Sequence, residues 1–175
     1  MNWMRCTLFH ILVMMTSVAY GSTYVSDEQA QKLMFGEVKF NPVSIQLTDA
    51  TRAVMQDRSS VYEHFKADRI WRTADGSYLI IDEVIGKHEH IKYAVGINAD
   101  GTVRQIEIME YTETYGYEVR NESWRKQFIG KTAAAPIKLN KDIDNISGAT
   151  LSCKHLADGV KRVMTMYDLV LRPTK

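Results

Sequence analysis

The most regular hydrophobic pattern lies near the C-terminus. From Ala149 onward, apolar side chains recur at Cys153, Leu156, Ala157, Val160, Val163, Met164 and Tyr167. Spacing by threes and fours predicts the buried stripe of a helix about five turns long. Ser147 stands where an N-cap is expected, which puts Thr150 in the first turn. Residues 68–110 carry the opposite signal. Arg69 to Thr73 and Tyr78 to Ile85 flank Asp75-Gly76, a hairpin turn signal. Ile91 to Ile97 alternates, with Ile91, Tyr93, Val95 and Ile97 on one face, and Asn98 to Gly101 turns the chain into Thr102 to Glu110. Consecutive strands joined by short turns predict an antiparallel meander.

Two shorter helices are expected upstream. Ser26 with Gln29 makes a capping box, Asp27 and Glu28 suit the first turn, Ala30, Leu33 and Met34 form a face, and Gly36 ends the helix. A second helix is expected from Thr48 or Asp49, carrying Ala50, Ala53 and Val54 inward and giving way at the polar run Gln56 to Ser60. Between them, Val38 to Leu47 is read as extended, with Pro42 at a turn or edge. Helices before and after a meander define an α+β class: an antiparallel β-meander flanked by helices, with a long C-terminal helix.

Composition fits one compact globular unit, 45% hydrophobic and 25% charged over 175 residues. Residues 1–21 read as a secretory signal peptide: Arg5 ahead of an apolar run from Cys6 to Val18, then small residues at Ser17, Ala19 and Gly21. A run of about thirteen residues is too short for a bilayer, which needs about 20; retention as a shallow anchor is the alternative. Residues 22–64 are read as an N-terminal helical and extended elaboration, and 65–175 as the main domain. The formal net charge of +1 supplies no field for nucleic acid, so no nucleic-acid partner is expected. Without the leader only Cys153 remains, which excludes an internal disulfide.

Candidate chemistry gathers at two places. Ser147-Gly148-Ala149-Thr150 opens the long helix with almost no side-chain bulk. Free N–H groups and the positive dipole end there favour an anion such as phosphate, while close packing on a neighbouring element explains the small residues equally well. The second place is Glu110 to Lys131, with Glu113-Thr114-Tyr115-Gly116, Tyr117, Trp124 and Phe128. Gly116 permits a tight turn, and Tyr115, Tyr117 and Trp124 are rings able to stack on a flat ligand. His88 and His90 form a His-x-His in the Gly86 to His90 connection with no third ligand in view, and Cys153 near His155 falls on the apolar stripe. Neither is read as a metal site.

The string Asp-x-x-Ser-Gly-Ala-Thr, from Asp144 to Thr150, resembles the flavinylation motif of the FMN-binding domain family. That family includes the C subunit of the sodium-translocating NADH:quinone reductase and the G subunit of the Rnf complex. The resemblance implies that a flavin transferase joins the phosphate of FMN to Thr150 as a phosphoester, with Asp144, Ser147, Gly148 and Ala149 as the recognition frame. Glu113-Thr114-Tyr115-Gly116, followed by Trp124 and by Phe128-Ile129-Gly130-Lys131, is similar to the second family signature. Its usual form has proline and then Gly-Leu-Gly, where this chain has Tyr115, Gly116, Tyr117 and Glu118. On this footing Glu113, Thr114, Tyr115, Gly116 and Trp124 join the expected flavin contacts. The two signatures, in order and joined by the α+β pattern, cover about residues 65–171.

The expectation is an exported protein, periplasmic or on the outer face of the cytoplasmic membrane, carrying covalent FMN and passing electrons between membrane or periplasmic redox proteins. No Ser-His-Asp set, metal cluster or phosphate-binding Gly-loop is visible, so catalysis of its own is left open. An exported flavoenzyme reducing a small acceptor, with Glu113 or Tyr115 as proton donor, and a cofactor-free binding module are the alternatives.

Overall fold

A computed structural model gives the fold of residues 24–172; the leader expected over residues 1–21 lies outside the described residues. The elements are α1 (Asp27–Phe35), β1 (Phe40–Pro42), α2 (Asp49–Ser59), β2 (Ile70–Thr73), β3 (Tyr78–Ile85), β4 (His90–Ile97), β5 (Val103–Tyr111), a short α3 (Glu122–Arg125) and α4 (Thr150–Met166). The five strands form one antiparallel sheet in chain order. The α+β meander is therefore as expected.

Each face of the sheet is covered by a different helix layer. On one side α1 packs Ala30 and Met34 against Leu79, Ile81, Ala94 and Met109. Its Ser26–Gln29 capping box forms as read, and Gly36 ends the helix at φ +73°. Leu33, expected to face inward, is 61% exposed, because Ala30 and Met34 already fill the space over the small residues Ala94 and Gly96. On the other side Ile91, Tyr93, Val95 and Ile97 join one large core with α4. All eight apolar positions of the predicted stripe are buried. Segment 24–64 thus contributes to the same sheet and to both of its faces.

Two further details differ from expectation. α2 does not turn Ala50 and Ala53 inward, since both are exposed; Met55 and Ser59 are its buried residues, and the helix runs through the polar stretch to Ser59. Met55 offers more apolar area to the core than either alanine alone, so docking follows the methionine. α4 begins at Thr150 with Ala149 at the cap position, not at Ser147, and no side chain caps it. Ser147 and Gly148 instead form the middle of a turn closed by the Ala149 N–H on the Ile146 carbonyl at 3.0 Å, with Gly148 at φ +84°. Positive φ at the third turn position is a glycine requirement, so the turn takes the residues that would have started the helix.

Toward the C-terminal end of α4 the core contains a charged cluster. Arg162 (1% exposed) donates from Nε and Nη2 to Asp82 Oδ2 at 3.0 and 2.7 Å, and from Nη1 and Nη2 to the Glu63 and Glu83 carbonyls, both at 2.8 Å. Tyr93 donates to the same Asp82 oxygen at 2.6 Å. Burial pushes the Asp82 carboxyl up against the pull of the guanidinium, and burial with the adjacent carboxylate pushes the Tyr93 phenol far up. Gly159 lets α4 lie on this cluster: a Cβ there would fall 2.5 Å from Tyr93 Oη.

Candidate functional site

The start of α4 and two loops from the sheet form a cleft of about 440 Å3, lined by Lys87, His88, Glu113, Thr114, Tyr115 and residues 148–152. That volume lies within the range of small-molecule sites, about 300–1,000 Å3.

The first wall is the segment 144–152. Trp124 Nε1 donates to the Asp144 carbonyl at 2.8 Å, and the Asp144 N–H donates to Gln127 Oε1 at 2.7 Å, so the main chain is fixed just ahead of the turn. The turn then delivers Thr150 as the first helical residue, exposed, with its Oγ1 accepting from Asn145 Nδ2 at 3.0 Å. That bond leaves the threonine proton free. The first N–H groups of a helix have no intrahelical acceptor, and here no side chain takes their place. A Cβ on Gly148 would meet nothing within 4 Å, so the approach to these N–H groups is open.

The second wall is the turn after β5. Tyr111 Oη donates to the Tyr115 carbonyl at 2.6 Å and lies 3.0 Å from Ser152 Oγ in α4. Gly116, at φ +89°, sits in the angle: a Cβ there would fall 2.7 Å from Tyr111 Oη and 2.9 Å from Ala149 Cβ. The two motifs read separately from the sequence, more than thirty residues apart, are therefore in contact at Gly116 and Ala149. Tyr115 and Tyr117 are 78% and 64% exposed, and Tyr115 lines the cleft. Trp124 is buried, stacked edge-on to Phe128 at 5.3 Å, and supports the Asp144 main chain from below without lining the cleft.

The third wall is the β3–β4 loop. Glu113 Oε1 accepts from three consecutive N–H groups, of Lys87, of His88 at 2.7 Å and of Glu89 at 3.1 Å. From the other side His155 Nδ1 donates to the carbonyls of Ile85 and Gly86, at 2.6 and 2.8 Å, which puts the ring proton on Nδ1. A Cβ on Gly86 would lie 2.5 Å from Glu113 Oε1 and 2.9 Å from Ile91 Cδ1, so any side chain there would push the Glu113 carboxylate out of its place. Partial burial opposes the Glu113 charge, yet the three N–H groups and nearby His88 outweigh it and hold the carboxyl below its ordinary value. Glu113 is thus an ionised acceptor in place, ill suited to donate a proton near neutrality.

Among the predicted positions, Gly148, Ala149, Thr150, Glu113, Thr114 and Tyr115 line one cleft, and Gly116 joins two of its walls. Asp144 and Ser147 are exposed beside it. Tyr111, Asn145, Gly86 and His155 were not among them. Tyr111 looks like any strand-ending aromatic, and only the three-dimensional return of α4 gives its hydroxyl a role. Cys153 is buried, and burial pushes its thiol up, toward an unreactive form. Among the described residues no group of three or more His, Cys, Asp or Glu could hold a metal ion, and no helix is long and apolar enough to cross a membrane.

Residues 86–165 match the family model of the FMN-binding domain, a span that begins at the β3–β4 loop and contains every wall of the cleft. The chain is similar to the G subunit of the ion-translocating oxidoreductase complex of Cereibacter sphaeroides, 27% identical over 89 residues, which cover 45% of this chain and 41% of that protein. It is also similar to the G subunit of the Na(+)-translocating ferredoxin:NAD(+) oxidoreductase complex of Acetobacterium woodii, 29% identical over 87 residues, covering 45% and 42%. The chain spans about two fifths of the length of these curated relatives. The family resemblance stated from the motifs holds across residues 86–165.

Proposed function

We propose, taking residues 86–165 as an FMN-binding domain, that the protein is an electron-transfer flavoprotein with FMN esterified to Thr150. The observation that carries this reading is the convergence of both motifs on one cleft with an exposed Thr150 hydroxyl at an uncapped helix start. Bound FMN supplies one- and two-electron transfer, and the protein supplies attachment and orientation.

In the attachment reaction, catalysed by a flavin transferase with FAD as donor, Thr150 Oγ1 bonds to the FMN-side phosphorus. The pyrophosphate P–O bond breaks, AMP leaves and the hydroxyl proton passes to solvent. Asn145 holds the attacking oxygen through its own donor, and the open N–H groups of the first turn of α4 receive the phosphate. The residues present fit the group: bare backbone at Gly148 and Ala149 for the phosphate, and exposed Tyr115 at the rim for the ring.

The carrier reading is favoured over direct reduction of a small acceptor by Glu113, whose carboxylate is committed to three N–H groups. Export fits the pattern of residues 1–21, and a covalent bond suits a compartment where dissociated FMN cannot be replaced. Membrane or periplasmic redox proteins are the proposed partners, in line with relatives named as subunits of oxidoreductase complexes.

Intact-mass analysis of denatured protein, made together with a flavin transferase, tests the attachment. Thr150→Ala is expected to fold and carry no adduct, and Thr150→Ser to retain part of it. An adduct persisting in Thr150→Ala would refute Thr150 as the acceptor.

A further inference from the structure

The cleft holds a charge that attachment at Thr150 leaves unused. Lys87 lines it, and its ammonium makes no hydrogen bond or ion pair among the described residues. The loop beneath that side chain is fixed from two sides. The Lys87 N–H donates to Glu113 Oε1, and the carbonyl of Gly86 before it accepts from His155 Nδ1 at 2.8 Å. Only the lysine side chain is free to move, so its charge stays tethered at the cleft. Other charges nearby are already engaged. Lys154 pairs with Asp158 at 2.6 Å and does not line the cleft, and Glu113 is held by three N–H groups. The open N–H groups of α4 serve a phosphate at Thr150, which leaves the ammonium on the loop wall for the ring. On reduction the ring takes two electrons from a redox partner and one proton from solvent, and so gains one negative charge. A positive charge near the ring nitrogens favours that form over the uncharged oxidised ring.

We propose that Lys87 is the counter-charge of the reduced flavin and raises its reduction potential. Glu113 and His155 then have a shared purpose: by holding the main chain at residues 85–89 they keep this lysine beside the cleft. The inference rests on the proposed attachment of flavin at Thr150, and the experiment separates the two.

The parent, Lys87→Gln, Lys87→Arg and Lys87→Glu proteins are each made with a flavin transferase. Peptide mapping locates the adduct, and a redox titration gives the midpoint potential of the bound flavin. Lys87 is exposed and holds Glu113 through its main chain, so all three variants are expected to fold and to load as the parent does. Lys87→Gln is expected to lower the equilibrium constant for two-electron reduction at least tenfold, a fall of about 30 mV. Lys87→Arg should stay within threefold of the parent, and Lys87→Glu should fall below Lys87→Gln. The gap between the parent and Lys87→Gln should narrow as salt is raised, because exposed charges are screened. A shift caused by a disturbed loop would follow neither salt nor the sign of the charge, and that pattern would overturn the proposal. So would a loaded Lys87→Gln protein whose equilibrium constant lies within twofold of the parent. Loss of adduct in Lys87→Gln, with the parental potential kept in the fraction still loaded, would place the ammonium at the phosphate and overturn it too. Each of these outcomes leaves Thr150 as acceptor. A parent without adduct on Thr150 would instead refute the attachment reading and this inference with it.

Discussion

One helix, α4, has two unlike environments within a dozen residues. At Arg162 it is buried, and the guanidinium makes four hydrogen bonds, to Asp82 and two carbonyls, with Tyr93 completing the cluster. At Thr150 it is uncapped, exposed and open to a cleft. The buried end helps to fix where the open end sits. A helix start that leaves its first N–H groups to solvent gains nothing from a cap, so its position is imposed by packing, at Arg162 further along and at Ala149 and Ser152 nearby.

The largest expected effect comes from breaking the buried end. Arg162→Met leaves the Asp82 carboxylate in the core without its partner, and loss of about 3–5 kcal/mol is expected, read as the shift in chemical denaturation midpoint. Adding Asp82→Leu removes the stranded charge and should restore most of the loss. A single variant of parental stability would show that the cluster does not anchor α4.

Next comes the contact between the two motifs. Gly116→Ala forces a side chain into positive φ, costing roughly 1–2 kcal/mol, and drives the new methyl into Tyr111 Oη and Ala149. Flavin loading is expected to fall further than stability does, because the added methyl separates the walls of the cleft. Loading at the parental level would mean that the two motifs need not touch.

The contrast between the ends of α4 also shows what can be read from a sequence. The strands, the capping box at Ser26 and the stripe of α4 follow from local periodicity and were legible. The ion pair was not, since Asp82 interrupts an apolar strand and Arg162 an apolar stripe, and each reads as a defect until the other is seen. The helix start was misplaced by two residues because Ser147 is a good cap in isolation, and the turn around Gly148 competes for it. Glu113 and Gly116 were legible as a motif, but the reason for Glu113 lies in three N–H groups some 25 residues upstream, a contact no local pattern encodes.

A smaller effect is expected from acid at the open end. The Glu113 carboxyl is held below its ordinary value of 4.5, so the unfolded chain binds more protons as pH falls. Its contribution is complete above about 4.5 and is lost as pH drops through the lower folded value. Amide exchange at Lys87, His88 and Glu89 should accelerate across that window in the parent. In Glu113→Gln it should be faster throughout and lack that step. A parental profile without the step would mean that the loop is held by His155 alone.

The smallest effect on stability is expected at Asp144, and that is its use. Its main chain is held by Trp124 and Gln127, whereas its side chain is exposed and makes no hydrogen bond or ion pair among the described residues. Asp144→Ala should therefore keep the turn and shift stability by no more than about 0.5 kcal/mol, as an exposed substitution away from structural features does. On the proposed attachment at Thr150, a carboxylate with no structural partner beside that hydroxyl is free to contact the transferase. Flavin loading is expected to drop at least tenfold while the melting temperature stays within a degree or two. The opposite pattern, normal loading with a large fall in melting temperature, would assign Asp144 to the scaffold that the buried end of α4 represents and remove it from the attachment site.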